Sequence, residues 1–198
     1  MTEPNRQIRF RYEDYKSLPE STEKRYELLD GELLMVPAPT ITHQRISRDL
    51  EARLHEYCQR SRIGEVLYSP VDVVLGEADA REVVQPDILL VASERLSIIA
   101  EEEIRGAPDL VVEILSAGTE LRDRTYKKIL YGRFRVREYW IVDPAERTIE
   151  VHGLTQTGLE LQGSFTGGER VESTLLPYLE LTADSIFPLT SRRSEGTP

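Results

Sequence analysis

Residues 108–116, Pro-Asp-Leu-Val-Val-Glu-Ile-Leu-Ser, together with residues 83–91, Val-Val-Gln-Pro-Asp-Ile-Leu-Leu-Val, decide the fold. Each is a near-continuous aliphatic run of strand length, the pattern of strands buried on both faces. Within the aliphatic residues the first carries Glu113, beyond the Asp109 at its start, and the second carries Asp87. An uncompensated carboxylate inside such a strand costs several kcal/mol, so each needs a metal, a cation or hydrogen-bond donors. On neighbouring strands two such side chains can oppose each other at about 5 Å between Cβ atoms. Two oxygen donors at that spacing suit Mg²⁺ or Mn²⁺, hard cations that take few carboxylates and keep several waters.

Working outward, residues 65–75 read as a further strand. Residues 25–36, RYELLDGELLMV, read as a hairpin turning at Asp30-Gly31, a dipeptide that tolerates positive φ. A helix follows, with Thr40 or Thr42 as N-cap and an apolar stripe of Ile46, Leu50, Leu54 and Tyr57. Gly64 closes it, and Cys58 on the stripe is a small apolar filler. Residues 93–107 form a short helix or an irregular excursion, in which the acidic run at 101–103 is a solvated patch. A second helix spans 120–134, capped by Ser116 or Thr119. Residues 137–144 form a strand with Tyr139 and Trp140 in the core. Residues 148–154, 159–165 and those around Val171 add antiparallel strands between glycine turns. The fold class is α/β (α+β-like), with a mixed, largely antiparallel central sheet flanked by helices, an N-terminal hairpin and a C-terminal β extension. Residues 1–22, with Ile8, Phe10, Tyr12 and Tyr15, pack on a single domain spanning 23–187, and 188–198 form a frayed tail.

The 198 residues suit one such domain. The single cysteine excludes an intramolecular disulfide framework and a cysteine-rich zinc site. Three histidines make an all-His metal site a poor expectation. No phosphate-binding Gly-rich loop, G-x-S-x-G elbow or H-E-x-x-H motif occurs. Without a long apolar run or a secretory core, no membrane association and a cytoplasmic location are expected. The net charge of −10 argues against a protein that coats nucleic acid. Residues 119–137 run the other way, with seven basic residues against Glu120 and Asp123. That local +5 predicts one basic face and salt-sensitive, metal-dependent binding of a phosphodiester.

A lysine would complete a phosphodiester-cleaving site. Strand alternation puts residue 115 on the face of Glu113, but residue 115 is Leu. The nearest lysines are Lys127 and Lys128 on the following helix, where Lys127 shares a face with Tyr131.

The ordered set YELLDGEL, His43, VVQPDILLV, GAPDLVVEILS, RDRTYKKILY and REYWIVDP resembles the Uma2 family, a branch of the PD-(D/E)xK nuclease superfamily, over about residues 10–187. The resemblance implies a restriction endonuclease-like core and a metal-dependent endonuclease acting on nucleic acid, DNA above all. It implies Mg²⁺ or Mn²⁺ held by Asp87, Glu113 and the Ile114 carbonyl. The catalytic lysine is displaced from strand to helix, which selects Lys127, with Lys128 behind it and Tyr131 completing the pattern. Glu27 before the Asp-Gly turn, Gln85 before the Pro-Asp pair and His43 are drawn in as further site residues. Residues 116–119 read Ser-Ala-Gly-Thr where the family often has Ser-Pro-Ser-Thr, a difference in the helix cap. A homodimer would suit cleavage of both strands of a duplex. Two rival readings remain: a silent nuclease-fold module that binds a partner, and a metal-dependent phosphodiesterase acting on a small nucleotide.

Overall fold

The structure, a computed structural model, describes residues 9–19, 24–77 and 81–187. The described residues form two sheets where one was expected. The first contains β1 (Arg25–Leu29), β2 (Glu32–Val36), β4 (Asp72–Leu75), β5 (Glu82–Val84) and β7 (Glu103–Arg105), in the order β2-β1-β5-β4-β7. The second contains β3 (Gly64–Tyr68), β6 (Ile88–Ala92), β8 (Leu110–Ile114), β9 (Glu138–Asp143), β10 (Thr148–Leu154) and β11 (Leu159–Thr166), in the order β11-β10-β9-β8-β6-β3. Pairing is antiparallel except between β4 and β7 and between β8 and β9. This is the mixed α/β, mostly antiparallel architecture the sequence predicts.

Proline explains the second sheet. The apolar runs 65–75 and 83–91 are each interrupted, at Pro70 and Pro86. Proline has no N–H for the ladder and holds the preceding residue extended. Each run therefore leaves one sheet and enters the other. β3 pairs with β6 in the second sheet, whereas β4 pairs with β5 in the first. Asp87 thus sits in the corner between β5 and β6 and not within a strand.

Helix α2 (Ile41–Ser61) begins at Thr40, whose hydroxyl accepts the His43 N–H at 3.1 Å. It ends before Gly64, at Arg62 in the left-handed conformation (φ 55°). Gly64 instead opens β3, and glycine is required there: a Cβ would stand 2.2 Å from the Val91 carbonyl oxygen. The predicted stripe of α2 packs on one face of the second sheet, with Leu110, Val112, Ile114, Trp140 and Val142. The opposite face, with Leu89, Val91, Val111, Tyr139 and Ile141, meets Val73, Leu75 and Val84 of the first sheet. Each such fully buried aliphatic side chain contributes about 1.5–3 kcal/mol. The second sheet is therefore the middle layer, which is why β6, β8 and β9 read as apolar on both faces.

The helix predicted over 120–134 consists of α3 (Glu120–Arg122), a π-helical turn (Asp123–Lys127) and α4 (Lys128–Arg133). Neither predicted hydroxyl caps it; Ser116 Oγ and Thr119 Oγ1 bond each other at 3.0 Å. Residues around Val171 make only an isolated bridge, Arg170 to Thr182. At the N-terminus, Tyr12 and Tyr15 of α1 (Tyr12–Lys16) pack on Leu28, Val74 and Val83 as expected, while Phe10 stays exposed. Ile8 and residues 188–198 lie outside the described residues. The acidic run is only partly solvated. Glu103 lies in β7 beside β4, is buried, and accepts the Tyr12 hydroxyl at 2.6 Å and Arg105 Nε at 3.0 Å.

Candidate active site

Glu113 is the centre of a buried charge cluster. It projects from β8 into the otherwise apolar face toward the helix that follows. Its Oε1 accepts hydrogen bonds from Lys127 Nζ at 2.9 Å and from the Tyr131 hydroxyl at 2.8 Å. The π turn makes this convergence possible, since its wider coil buries both Asp123 and Lys127 on the side facing the sheet. The Lys127 ammonium also lies 2.8 Å from Glu27 Oε1 and 3.5 Å from Asp123 Oδ1. Glu27 is fixed in turn by the Gln85 backbone N–H, at 3.0 Å from the same oxygen. Arg122 approaches Glu27 Oε2 at 3.6 Å.

Asp87 reaches the cluster from the proline corner. Register explains how: Ile88 pairs with Val112, so one step further brings Asp87 opposite Glu113. The Ile114 N–H donates to Asp87 Oδ2 at 2.7 Å, and His43 Nε2 lies 3.1 Å from the same oxygen. A cavity of about 900 Å³ opens over these groups, lined among others by Glu27, His43, Gln85, Asp87, Glu113, Ile114 and Lys127.

The electrostatics follow from the count of charges. Four carboxylates (Glu27, Asp87, Glu113, Asp123) meet two cations (Lys127, Arg122), which leaves two negative charges when all four are ionised. Burial raises the Glu113 pKa well above the ordinary carboxyl value, and Asp123, Asp87 and Glu27 add to the rise against the pull of Lys127. Asp123 is raised by burial as well, in spite of Lys127. Burial opposes the charge on Lys127, but Glu113, Glu27 and Asp123 outweigh it, and its pKa rises. One ammonium facing three carboxylates stays protonated, while the carboxylates together remain short of positive charge.

The structure brings together most of the residues singled out in the sequence. Asp87, Glu113, Lys127, Glu27 and His43 converge, and Tyr131 is a donor to Glu113 rather than plain packing. Gln85 lines the cavity, but its side-chain amide donates to Asp72 Oδ1 at 2.8 Å and sits 3.4 Å from the Tyr15 hydroxyl. Its backbone, not its amide group, serves the cluster. Lys128 does not line the cavity; it lies within electrostatic reach of His152 and Glu160 on the other side of the helix. The expected basic face is largely paired with carboxylates, although Arg133, Arg135 and Arg137 stay exposed. Arg124 bonds Asp143 and Glu150, Arg133 bonds Glu82, and Arg137 approaches Asp109 at 3.6 Å. Asp123 and Arg122 join the cluster without having been singled out in the sequence, although the four-residue spacing of Asp123 and Lys127 is a legible signal.

The Uma2 family model, described as "Putative restriction endonuclease", matches residues 12–184. The chain belongs to the Uma2 family. Its fold is shared with a solved structure from Anabaena variabilis ATCC 29413, described as "a putative nuclease belonging to DUF820". The two superpose with a TM-score of 0.74 at 22% identity, over 90% of this chain and 97% of that one. No curated protein matches. All the cavity residues named above fall within the Uma2 match.

In this Uma2 chain the donor set fits a divalent cation. Among the described residues, no donor engages Asp87 Oδ1 or Glu113 Oε2, so each carboxylate has one uncommitted oxygen beside the cavity. Oxygen donors from two carboxylates in a cluster with surplus negative charge suit Mg²⁺ or Mn²⁺. Among the described residues no cage of three or more His, Cys, Asp or Glu is preformed, and two carboxylates completed by waters is the manner in which Mg²⁺ is commonly held. No helix among the described residues is long and apolar enough to cross a membrane.

Proposed function

We propose that the protein is a metal-dependent nuclease hydrolysing phosphodiester bonds of nucleic acid, with DNA as its substrate. One observation carries this reading: Asp87 from the proline corner and Glu113 from β8 present uncommitted oxygens to one open cavity next to a buried ammonium. Asp87, Glu113 and the Ile114 carbonyl would hold Mg²⁺ or Mn²⁺. When bound, the ion supplies Lewis acidity toward a phosphoryl oxygen and lowers the pKa of a bound water.

The protein's own groups have separable tasks. Asp87 is oriented by the Ile114 N–H and by His43, so its free oxygen keeps one direction. Lys127 cannot act as a base, because its carboxylate neighbours keep it protonated. It is a fixed positive charge that holds Glu113 and Glu27 in place and offsets negative charge gathering on the phosphate. Tyr131 and Lys127 together fix the rotamer of Glu113. Glu27 links the lysine to the β5–β6 corner through the Gln85 N–H, and so ties the helix to the corner that carries Asp87.

Incubation of plasmid and of linear DNA with the protein and Mn²⁺ tests the reading. Metal-dependent cleavage that is lost in Asp87→Asn and Glu113→Gln supports it. Cleavage that survives both substitutions places the chemistry elsewhere.

A further inference from the structure

The cavity lining combines the charged residues Glu27, Asp87, Glu113 and Lys127 with the apolar Val36, Pro37, Pro39 and Pro70 and the ring of Tyr68. Tyr68 is the last residue of β3, an edge strand, and it is 60% exposed. It stands next to the site by register: Tyr68 pairs with Ile88, and the Ser69 N–H donates to the Asp87 carbonyl at 3.0 Å. An exposed aromatic one step from a candidate metal ligand contributes nothing to the core. Arg25 lines the same cavity and donates to the Ser69 hydroxyl. Among the described residues no carboxylate pairs with Arg25. Arg48, an exposed arginine of this cavity, is paired with Asp49, and Arg122 approaches Glu27.

These features suit an unpaired nucleotide better than a duplex. A duplex presents its phosphates outward, and proteins that track it neutralise several with free Lys and Arg. Here most basic residues of 119–137 are spent on internal carboxylates, and among the described residues Arg25 is the one guanidinium of the cavity without a carboxylate partner. An apolar lining with an exposed aromatic has no partner on a sugar–phosphate exterior, whereas every unpaired base offers a π face to stack on.

We infer that the cavity takes single-stranded nucleic acid, with a base stacked on Tyr68 and an adjacent phosphate held by Arg25, beside the carboxylate pair. The inference rests on the proposed nuclease reading and specifies its substrate class.

The test compares a labelled oligonucleotide of mixed sequence with its duplex. Binding is read by fluorescence anisotropy with Ca²⁺, and cleavage as kcat/KM with Mn²⁺, for the wild type, Tyr68→Ala, Tyr68→Phe and Arg25→Gln. The expected result is a preference for the single strand. Tyr68→Ala should weaken single-strand binding about 5- to 150-fold, the range for loss of one stacked base, and Tyr68→Phe should retain it. Arg25→Gln should weaken binding and reduce its salt dependence. Metal-dependent cleavage of duplex and single strand alike, indifferent to Tyr68→Ala, overturns the inference and leaves the nuclease reading standing. Single-strand binding that depends on Tyr68 without any hydrolysis supports the inference and removes the hydrolytic reading. Absence of binding and cleavage for both substrates overturns both. A change of oligomeric state in Tyr68→Ala, with unaltered nucleic-acid binding, assigns the ring to an interface between copies and also overturns the inference.

Discussion

Replacing Glu113 by Gln should make the metal-free protein more stable at pH 8 while removing its ability to bind Mn²⁺. The amide oxygen of the introduced glutamine can still accept from Lys127 and Tyr131, which lie at 2.9 and 2.8 Å from the carboxylate oxygen it replaces. Lys127 keeps Glu27 at 2.8 Å and Asp123 at 3.5 Å. What disappears is one of four carboxylates sharing two cations. Replacing a whole buried ion-pair group by neutral side chains is often neutral or gains about 1–4 kcal/mol, whereas removing one partner of a balanced pair costs about 3–5 kcal/mol. Glu113 is surplus negative charge and its donors keep an acceptor in Gln, so we expect a small net gain of about 1–2 kcal/mol. For a chain of this size that corresponds to a rise in Tm of roughly 2–8 °C.

The pH dependence has a definite sign. Burial and the neighbouring carboxylates raise the pKa of Glu113 in the folded state, so above the unfolded value the folded protein holds more protons than the unfolded chain. Stability of the wild type therefore falls as pH rises from the ordinary carboxyl range through the folded pKa. In Glu113→Gln that contribution is absent, and the difference between the two proteins should shrink toward pH 5. Thermal unfolding in EDTA at pH 5, 6, 7 and 8, followed by Mn²⁺ titration calorimetry, measures both halves. A variant that melts below the wild type at pH 8, or that keeps its Mn²⁺ affinity, refutes the reasoning.

Other outcomes follow from the same geometry. Lys127→Met should cost about 3–5 kcal/mol near neutral pH, because it leaves Glu27, Glu113 and Asp123 without their shared ammonium; denaturant unfolding should show a smaller loss at pH 5, where raised carboxyl pKa values allow protons to replace it. Mn²⁺ binding to the wild type should release protons at pH values between the ordinary carboxyl range and the raised pKa of Glu113, visible as a buffer-dependent calorimetric heat that vanishes in Glu113→Gln. Thr40→Ala should cost about 1 kcal/mol by removing the cap on the His43 N–H, read as a lower denaturant midpoint. Gly64→Ala should destabilise the β3–β6 pair strongly, since the added methyl carbon meets the Val91 carbonyl at 2.2 Å; faster hydrogen exchange in Val66 and Leu90 would report it.

Asp87 and Glu113 are legible in the sequence because buried charge is rare enough to stand out, whereas Lys127, Glu27 and His43 are singled out by the family resemblance. Glu113 within Leu-Val-Val-Glu-Ile needs partners, and a lysine within reach on the next helix is a natural one. Asp87 stands out by the same reasoning but is placed wrongly when Pro86 and Pro70 are read as tolerated within strands. In fact they turn the chain between sheets, and the corner, not a strand interior, carries Asp87. The π turn leaves no mark in the apolar spacing, so the four-residue spacing links Asp123 to Lys127 but does not show that the pair points inward. Gln85 lies outside any strand, and its side chain turns to Asp72 while its backbone N–H holds Glu27. The basic segment misleads for a different reason: a local charge count does not show that Asp143, Glu150, Glu82 and Asp109 from distant positions fold back onto those arginines. Tyr68 carries no signal in one dimension, since an edge-strand tyrosine looks the same whether it packs or faces a cavity.

The central claim is that Asp87 and Glu113 share one divalent ion. Crystals soaked in Mn²⁺ and measured at the manganese absorption edge test it most directly. The account predicts an anomalous peak within about 2.0–2.6 Å of Asp87 Oδ1 and Glu113 Oε2, absent in Asp87→Asn crystals treated identically. Mn²⁺-dependent cleavage together with an empty Asp87–Glu113 position, or a peak held by other residues, would contradict it.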